Sequence, residues 1–292
     1  MVSETVGSVG FIGIGTMGSM LIEAFLQAGA FRPENVFIHN RTPQKAQAVA
    51  EKHPGVTVAE SNAAVAVHAE LLFLCIKPLE FHSVLEEIAP HLTPSKTVVV
   101  IASPVQLRHL AERIPSKLIK FIPSLTNLAH SGACLLTFHP RISADERAQW
   151  LQLFASIGTP VEITETYTRI ASDLSSCGPA FLSLILTQMV DAATEETGLP
   201  RPLAEKLAIQ MLGGTAQLLL EEGLSLEEIQ RRIAVPGGIT QQGLHLLADQ
   251  MAGVFHRLFR TTQAKFVEDV EKIESAFGLQ SPGENPVWHP DV

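Results

Sequence analysis

Nine residues near the N-terminus, Gly10-Phe11-Ile12-Gly13-Ile14-Gly15-Thr16-Met17-Gly18, restrict the fold of this chain more than any other stretch. They end an apolar run (8–14) and open a segment of helical character (17–29). Glycines spaced this way between a strand and a helix imply a tight turn, a bare backbone and close helix–strand packing. The pattern that follows is consistent with that start. Further apolar runs lie at 35–39, 56–58, 70–76, 97–102 and 118–122, separated by helical stretches such as 42–52. Most are too continuous to be half-exposed strands and suit strands covered on both faces. Two more runs, 133–138 and 160–163, flank a helix expected to begin near Ser143, where Ser143 and Glu146 have the spacing of a capping box. The expected architecture is a doubly wound, mostly parallel α/β sheet with right-handed crossovers.

After about Glu165 the strand signals stop and apolar residues recur at helical spacing. Helices are expected at 167–174, 179–197, 202–222, 226–233, 240–251 and 253–277, with Gly198, Pro200 and Gly223 as punctuation and Ser225/Glu228 as a second capping box. The expected division is therefore an α/β domain over 1–165, an all-α domain over 166–278 and a loosely ordered tail over 279–292. The helices 179–197 and 202–222 are apolar over much of their surface, more than a small helical domain hides on itself. A homodimer through these helices, with or without further assembly, is the expected arrangement.

Composition narrows the function. A chain of 292 residues with 46% hydrophobic side chains can bury a sizeable core. A net charge of −9 speaks against a nucleic-acid surface and fits a protein that handles small molecules. The three cysteines, Cys75, Cys134 and Cys177, are widely spaced and suggest neither a disulfide framework nor a metal site. The N-terminal run lacks a basic flank and is short and interrupted by glycine, so neither a secretion signal nor a membrane span is expected, and the reading is cytoplasmic.

Gly13-x-Gly15-x-x-Gly18 in this context points to a dinucleotide site. Gly13 allows the turn, Gly15 lets a diphosphate approach the backbone, and Gly18 allows packing, with Ile14, Thr16 and Met17 completing the loop. The N–H groups of Thr16, Met17 and Gly18 would face an anion at a helix N-terminus. At the end of the second strand stand His39-Asn40-Arg41-Thr42, with no acid to take the ribose hydroxyls. Arg41 can stack on adenine and pair with a 2′-phosphate, assisted by Asn40 and Thr42, so NADP(H) is preferred and NAD(H) allowed. Cys75, Ile76, Lys77 and Pro78 end the fourth strand at the carboxyl edge of the sheet, where such folds bind ligands.

These motifs, with Asn62 in 61–66, the segment 175–181, the stretch 197–221 and Val235-Pro236-Gly237-Gly238-Ile239-Thr240, occur in an order that resembles pyrroline-5-carboxylate reductases over most of the chain. The resemblance implies a Rossmann domain followed by an all-helical dimerisation domain, and reduction of a cyclic imine, 1-pyrroline-5-carboxylate, to proline. It implies that Thr240 lies near the reacting nitrogen, that Val235, Gly237, Gly238, Ile239 and Thr240 surround the imino-acid substrate, and that Asn62 and Ala102 touch the cofactor. The residues are chemically compatible: a carboxylate needs N–H donors and a protonated imine needs no strong base. Read from the residues alone, Thr240 is first of all an N-cap for its helix.

The chain departs from the family where the pocket is expected. Val235 replaces a serine that helps hold the substrate carboxylate, Cys177 replaces a small residue, and 101–104 and 122–127 are altered. Losing a hydrogen bond to a charged group is worth about 1.5–3 kcal/mol, roughly ten- to a hundredfold in binding. A second reading follows: a family member with little or no turnover that binds the nucleotide and acts in regulation, as in the divergent late-competence branch. A β-hydroxyacid dehydrogenase would need a general base, and the chain has no lysine between Lys120 and Lys206 and no histidine in 179–197.

Overall fold

The computed structural model describes residues 7–279. The tail expected over 279–292 to be loosely ordered lies, from residue 280 on, outside the described residues. The first half runs β1 (Val9–Ile12), α1 (Thr16–Gln27), β2 (Val36–His39), α2 (Pro43–Lys52), β3 (Thr57–Val58), α3 (Asn62–His68), β4 (Leu71–Leu74), α4 (Phe81–Ile88), β5 (Thr97–Val100), α5 (Leu107–Ala111) and β6 (Lys117–Ile122). It continues with β7 (Ala133–Phe138), α6 (Ala144–Phe154), β8 (Thr159–Glu162) and α7 (Thr168–Ser175). Then come α8 (Gly178–Thr197), α9 (Arg201–Leu220), α10 (Leu226–Ile233), α11 (Ile239–Gln250) and α12 (Val254–Phe277).

The eight strands form one sheet in the order β3-β2-β1-β4-β5-β6-β7-β8. Every pairing is parallel except β6 with β7. Both faces are covered, as the continuous apolar runs require. Val9, Phe11, Leu71, Phe73, Val99, Ile119 and Phe121 pack to one side, where Phe11 and Phe73 stack at 4.6 Å between ring centroids. Ile12, Leu72, Leu74, Val98, Val100 and Leu118 pack to the other, with α3, α4 and α5 supplying Val65, Phe81 and Leu110. Gly10 is needed there because a Cβ would stand 2.6 Å from the Val65 side chain. From β1 the chain winds outward first through β2 and β3, then through β4 to β6. The reversal opens a crevice beyond the carboxyl ends of β1 and β4, the place where such sheets take ligands.

Contacts divide the described residues into two compact units, 7–178 together with 261–279, and 179–260. This division by contacts groups α7 and the end of α12 with the sheet. Two polar clusters keep α7 and the end of α12 with the sheet. Asp173, buried, receives a hydrogen bond from Thr262 at 2.5 Å and pairs with Arg169 at 2.7 Å. Glu274, also buried, pairs with Arg108 and faces His109, while Phe277 lies under the Arg113 guanidinium at 4.8 Å. Such contacts, between residues 89 to 166 apart in the sequence, leave no periodic trace in it.

In the helical unit the placement of elements follows the expectation to within a residue or two, but burial is sparse. In the single chain α8 buries only Val190, α9 only Ala204, and α10 and α11 bury no residue. Leu184, Met189, Ile209 and Leu220 are exposed by 58% or more. The helical stretch Glu165–Thr197 is long and apolar enough to cross a membrane by length and composition. The Ser143/Glu146 capping box forms in full. At Ser225 only half forms: its hydroxyl accepts from the Glu228 N–H, while the Glu228 carboxylate pairs with Arg231 and Arg232.

Candidate active site

At the switch point the glycine turn separates into three distinct requirements. Gly13 has φ +95°, and a Cβ there would lie 2.5 Å from the Cys75 carbonyl oxygen. At Gly18 a Cβ would come within 2.1 Å of the Gly13 carbonyl oxygen, which explains why α1 can follow β1 so closely. Gly15 differs: nothing lies within 4 Å of the position its Cβ would take. No contact within the chain demands a glycine at 15, so the bare backbone there suits a group from outside. Gly15 is also the N-cap of α1, with no side chain capping it and no acid in the first turn. The N–H groups of the first turn thus remain directed at that open space, as an anion requires.

The space belongs to a cleft of about 440 Å³ lined by Gly13, Gly15, Asn40, Arg41, Thr42, Asn62, Cys75, Ile76 and Lys77 among others. Nine of the expected cofactor contacts, drawn from four separate segments, therefore meet in one cavity. Their side chains are held in different ways. Asn40 accepts a hydrogen bond from the Ile14 N–H at 2.8 Å and donates to the Thr42 carbonyl at 2.9 Å, so it clamps the glycine turn to the end of β2. Asn62 donates to Glu87 at 2.7 Å, and Glu87 also takes the Ala63 N–H at 3.1 Å. Arg41 is exposed and pairs with Glu80 at 2.9 Å. Burial pushes the Cys75 thiol up, so it is an uncharged wall rather than a nucleophile.

The other expected residues stand apart from this cavity. Ile14 and Thr16 line a second hollow of about 430 Å³ along α1 and α2. Met17 packs against the core, Pro78 opens the short turn after β4, and Ala102 is buried in the core beyond β5. Sequence reasoning passed over His39, Lys45, Glu80, Ser83, Val84 and Glu87, which also line the cleft. A signal existed for four of these: 80, 83, 84 and 87 form one helical face immediately after Lys77. Lys45 adds a third cation beside Arg41 and Lys77.

The turn at 235–240 belongs to the other unit. The Gly238 N–H donates to the Val235 carbonyl at 2.9 Å across Pro236 and Gly237, and Gly237 has φ +72°, as the third position of a type II turn requires. The Gly237 N–H donates to the Gln241 side chain at 2.7 Å. Gly238 is the N-cap of α11, and a Cβ on it would meet the Val235 side chain at 2.7 Å. One expectation is corrected here. The helix begins at Ile239, so Thr240 is its second residue and not its N-cap. The Gly238 N–H is used within the turn, which leaves the first-turn N–H groups of Ile239 and Thr240 to face outward. Ile239, Val235 and Thr240 are exposed in the single chain. Among the described residues no group of His, Cys, Asp and Glu is arranged to hold a metal.

Comparison with known proteins extends these observations. A family model described as pyrroline-5-carboxylate reductase dimerisation matches residues 165–269, and one described as NADP oxidoreductase, coenzyme F420-dependent, matches residues 8–104. The chain is 35% identical over 269 residues to ComE operon protein 4 of Bacillus subtilis, covering 92% of this chain and 98% of that protein. It is 28% identical over 270 residues to the pyrroline-5-carboxylate reductase of Escherichia coli, with the same coverage of 92% and 98%. Among solved structures, the Plasmodium falciparum pyrroline carboxylate reductase with NADP bound superposes with a TM-score of 0.77 at 25% identity, over 94% of this chain and 99% of that one.

Proposed function

This chain belongs to the pyrroline-5-carboxylate reductase family, and on that premise we propose that it reduces a cyclic imino acid, 1-pyrroline-5-carboxylate, to proline with NADP(H). The observation that carries the proposal is the glycine turn, whose one unobstructed glycine, Gly15, faces a cleft that gathers Arg41, Lys45 and Lys77. In this reading the first-turn N–H groups of α1 take the diphosphate, and Arg41 and Thr42 take the 2′-phosphate end. Asn40 acts through the loop it clamps. Asn62, Cys75, Ile76 and Lys77 wall the ribose and nicotinamide side. When bound, the reduced nicotinamide supplies a hydride.

The chain's own residues bind and orient the substrate. The N–H groups of Ile239 and Thr240 at the start of α11 hold its carboxylate, with Val235, Gly237 and Gly238 shaping the turn around it. Thr240 presents its hydroxyl to the imine nitrogen and keeps that nitrogen protonated, so that carbon is electrophilic when hydride arrives. Hydride from a bound reduced nicotinamide would convert the C=N bond to a CH–NH bond, the nitrogen keeping the proton it already carries. No side-chain base is required, in keeping with the absence of a charged residue from 235–240. The sparse burial of α8 and α9 supports a homodimer through these helices, in agreement with the dimerisation family match. We further infer that the protein acts in proline biosynthesis and in the cytoplasm.

The test mixes purified protein with NADPH and pyrroline-5-carboxylate and follows the absorbance of the reduced nicotinamide. Consumption that depends on the imine is expected. NADPH binding without consumption overturns the reductase assignment and leaves the second reading, a nucleotide-binding regulatory member of the family. That reading draws on the higher identity to ComE operon protein 4, 35% against 28%, and on Val235 in the carboxylate-holding turn.

A further inference from the structure

We propose that Glu80 sets the balance between NADP(H) and NAD(H) in this cleft by holding Arg41 and opposing a 2′-phosphate. The inference rests on the dinucleotide reading above. Sites for the unphosphorylated nucleotide carry an acid at the end of β2 that binds the ribose hydroxyls and repels a 2′-phosphate. This chain has none in 39–42, yet the structure brings a carboxylate to the same place from another element. Glu80 follows β4, and its Oε1 lies 2.9 Å from Arg41 Nη1 at the end of β2. Its other oxygen, Oε2, accepts the Lys77 N–H at 3.3 Å. The carboxylate is thus anchored on the β4 side and reaches across the switch point to the β2 side. All three residues line the same cleft.

The remaining charges in the lining make Glu80 the group that matters. Lys45 and Lys77 are the other cations and Glu87 is the other carboxylate. Glu87 is turned to Asn62 and the Ala63 N–H at the start of α3. Glu80 alone pairs with Arg41. A guanidinium has five N–H donors, so Arg41 can keep Glu80 on Nη1 and still offer others to a phosphate. The phosphate then sits near a carboxylate of its own sign, while a ribose hydroxyl meets an acceptor. Arg41 favours the phosphorylated nucleotide and Glu80 reduces that preference.

Glu80→Gln separates charge from structure, because glutamine at this position of a capping box still accepts the Lys77 N–H. The assay titrates NADPH and NADH into the whole protein and follows the binding fluorescence of each. The Kd ratio, NADH over NADPH, is expected to rise about three- to tenfold in the variant at low salt, the size expected for a dianion and a carboxylate roughly 6 Å apart in water with partial screening. The rise should shrink at high salt, with an unchanged melting temperature. In an Arg41→Met background the same substitution should move the ratio by clearly less, since the two side chains act as a pair. Glu80→Ser, also uncharged, serves if the glutamine variant fails to fold. A ratio that stays constant or falls in the charge-free variant overturns the proposal. Failure of the wild-type protein to bind either nucleotide overturns the dinucleotide reading instead.

Discussion

Two alanine substitutions in the same glycine turn should separate structure from ligand binding: Gly18→Ala should destabilise the free protein, while Gly15→Ala should leave it near wild type and weaken nucleotide binding. At Gly18 the new methyl would stand 2.1 Å from the Gly13 carbonyl oxygen and 3.2 Å from the Cys75 Cβ, both fixed by β1, β4 and α1. That is more than an ångström inside contact distance, so helix and strand must separate, at about 1–3 kcal/mol. At Gly15 the methyl meets nothing within 4 Å, and the backbone, φ −86° and ψ −168°, is open to any residue. Losing chain entropy in the unfolded state favours alanine by about 0.4–1 kcal/mol, and its weaker N-cap preference offsets a similar amount. The free Gly15→Ala protein should therefore melt within a few degrees of wild type, while Gly18→Ala should melt lower by roughly 2–4 °C per kcal/mol lost. With NADPH at a hundred times its Kd, wild type gains about 2.7 kcal/mol. If the Gly15 methyl occupies the diphosphate's place and weakens binding about a hundredfold, the gain at the same nucleotide concentration falls to about 0.4 kcal/mol. Thermal melts of the three proteins with and without NADPH decide the matter. A Gly15→Ala protein that is as destabilised as Gly18→Ala, or that keeps the full nucleotide-induced rise, refutes the assignment of Gly15 to the ligand.

Val235→Ser should lower the Michaelis constant for a pyrroline carboxylate by about tenfold or more by restoring a hydroxyl beside the carboxylate; unchanged steady-state affinity would mean that this turn does not hold the carboxylate or that the substrate differs. Burial pulls His109 down to about 4, and the nearby Arg108, Lys120 and Arg113 charges act in the same direction. Because the folded state takes up this proton later than the unfolded chain, the His109 contribution is complete above about pH 6.5 and is lost as pH falls toward 4. Melting temperature measured against pH should therefore drop through that window, and a His109→Gln protein should show a shallower drop. Leu184→Glu combined with Ile209→Glu places charge on the exposed faces of α8 and α9, and light scattering after size exclusion should then report a monomer where wild type gives a dimer.

The sheet was legible because its information is local. Each buried strand is a continuous apolar run, and the first glycine loop states both where β1 ends and how near α1 must come. The cleft was legible in part for the same reason: Gly13, Arg41 and Lys77 each sit at the carboxyl end of a strand, and a parallel sheet brings those ends together. Glu80 and Glu87 were missed because their significance lies in partners on other elements, Arg41 and Asn62. The packing of α7 and the end of α12 with the sheet was not legible for a similar reason. Asp173 and Glu274 look like ordinary polar positions on helices, and only their long-range partners Thr262 and Arg108 reveal that both are buried against the sheet unit. A helical period reports that a face is covered, not by what.

The turn at 235–238 shows how one residue can serve structure and chemistry in competition. Gly237 is required by its positive φ, but Gly238 is required by Val235, whose side chain would stand 2.7 Å from any Cβ placed there. Val235 therefore shields the N-cap of α11 while leaving its own side chain 61% exposed, and its carbonyl fixes the turn by accepting the Gly238 N–H. A serine keeps the carbonyl bond and adds a hydroxyl, yet it loses a methyl from the surface that lies against Gly238. Val235 stands exposed beside the start of α11, so burial within the single chain does not account for it. On the proposed reading, Val235 gives the turn an apolar wall, which suits a substrate with a compact hydrocarbon ring beside its carboxylate over one that is polar throughout.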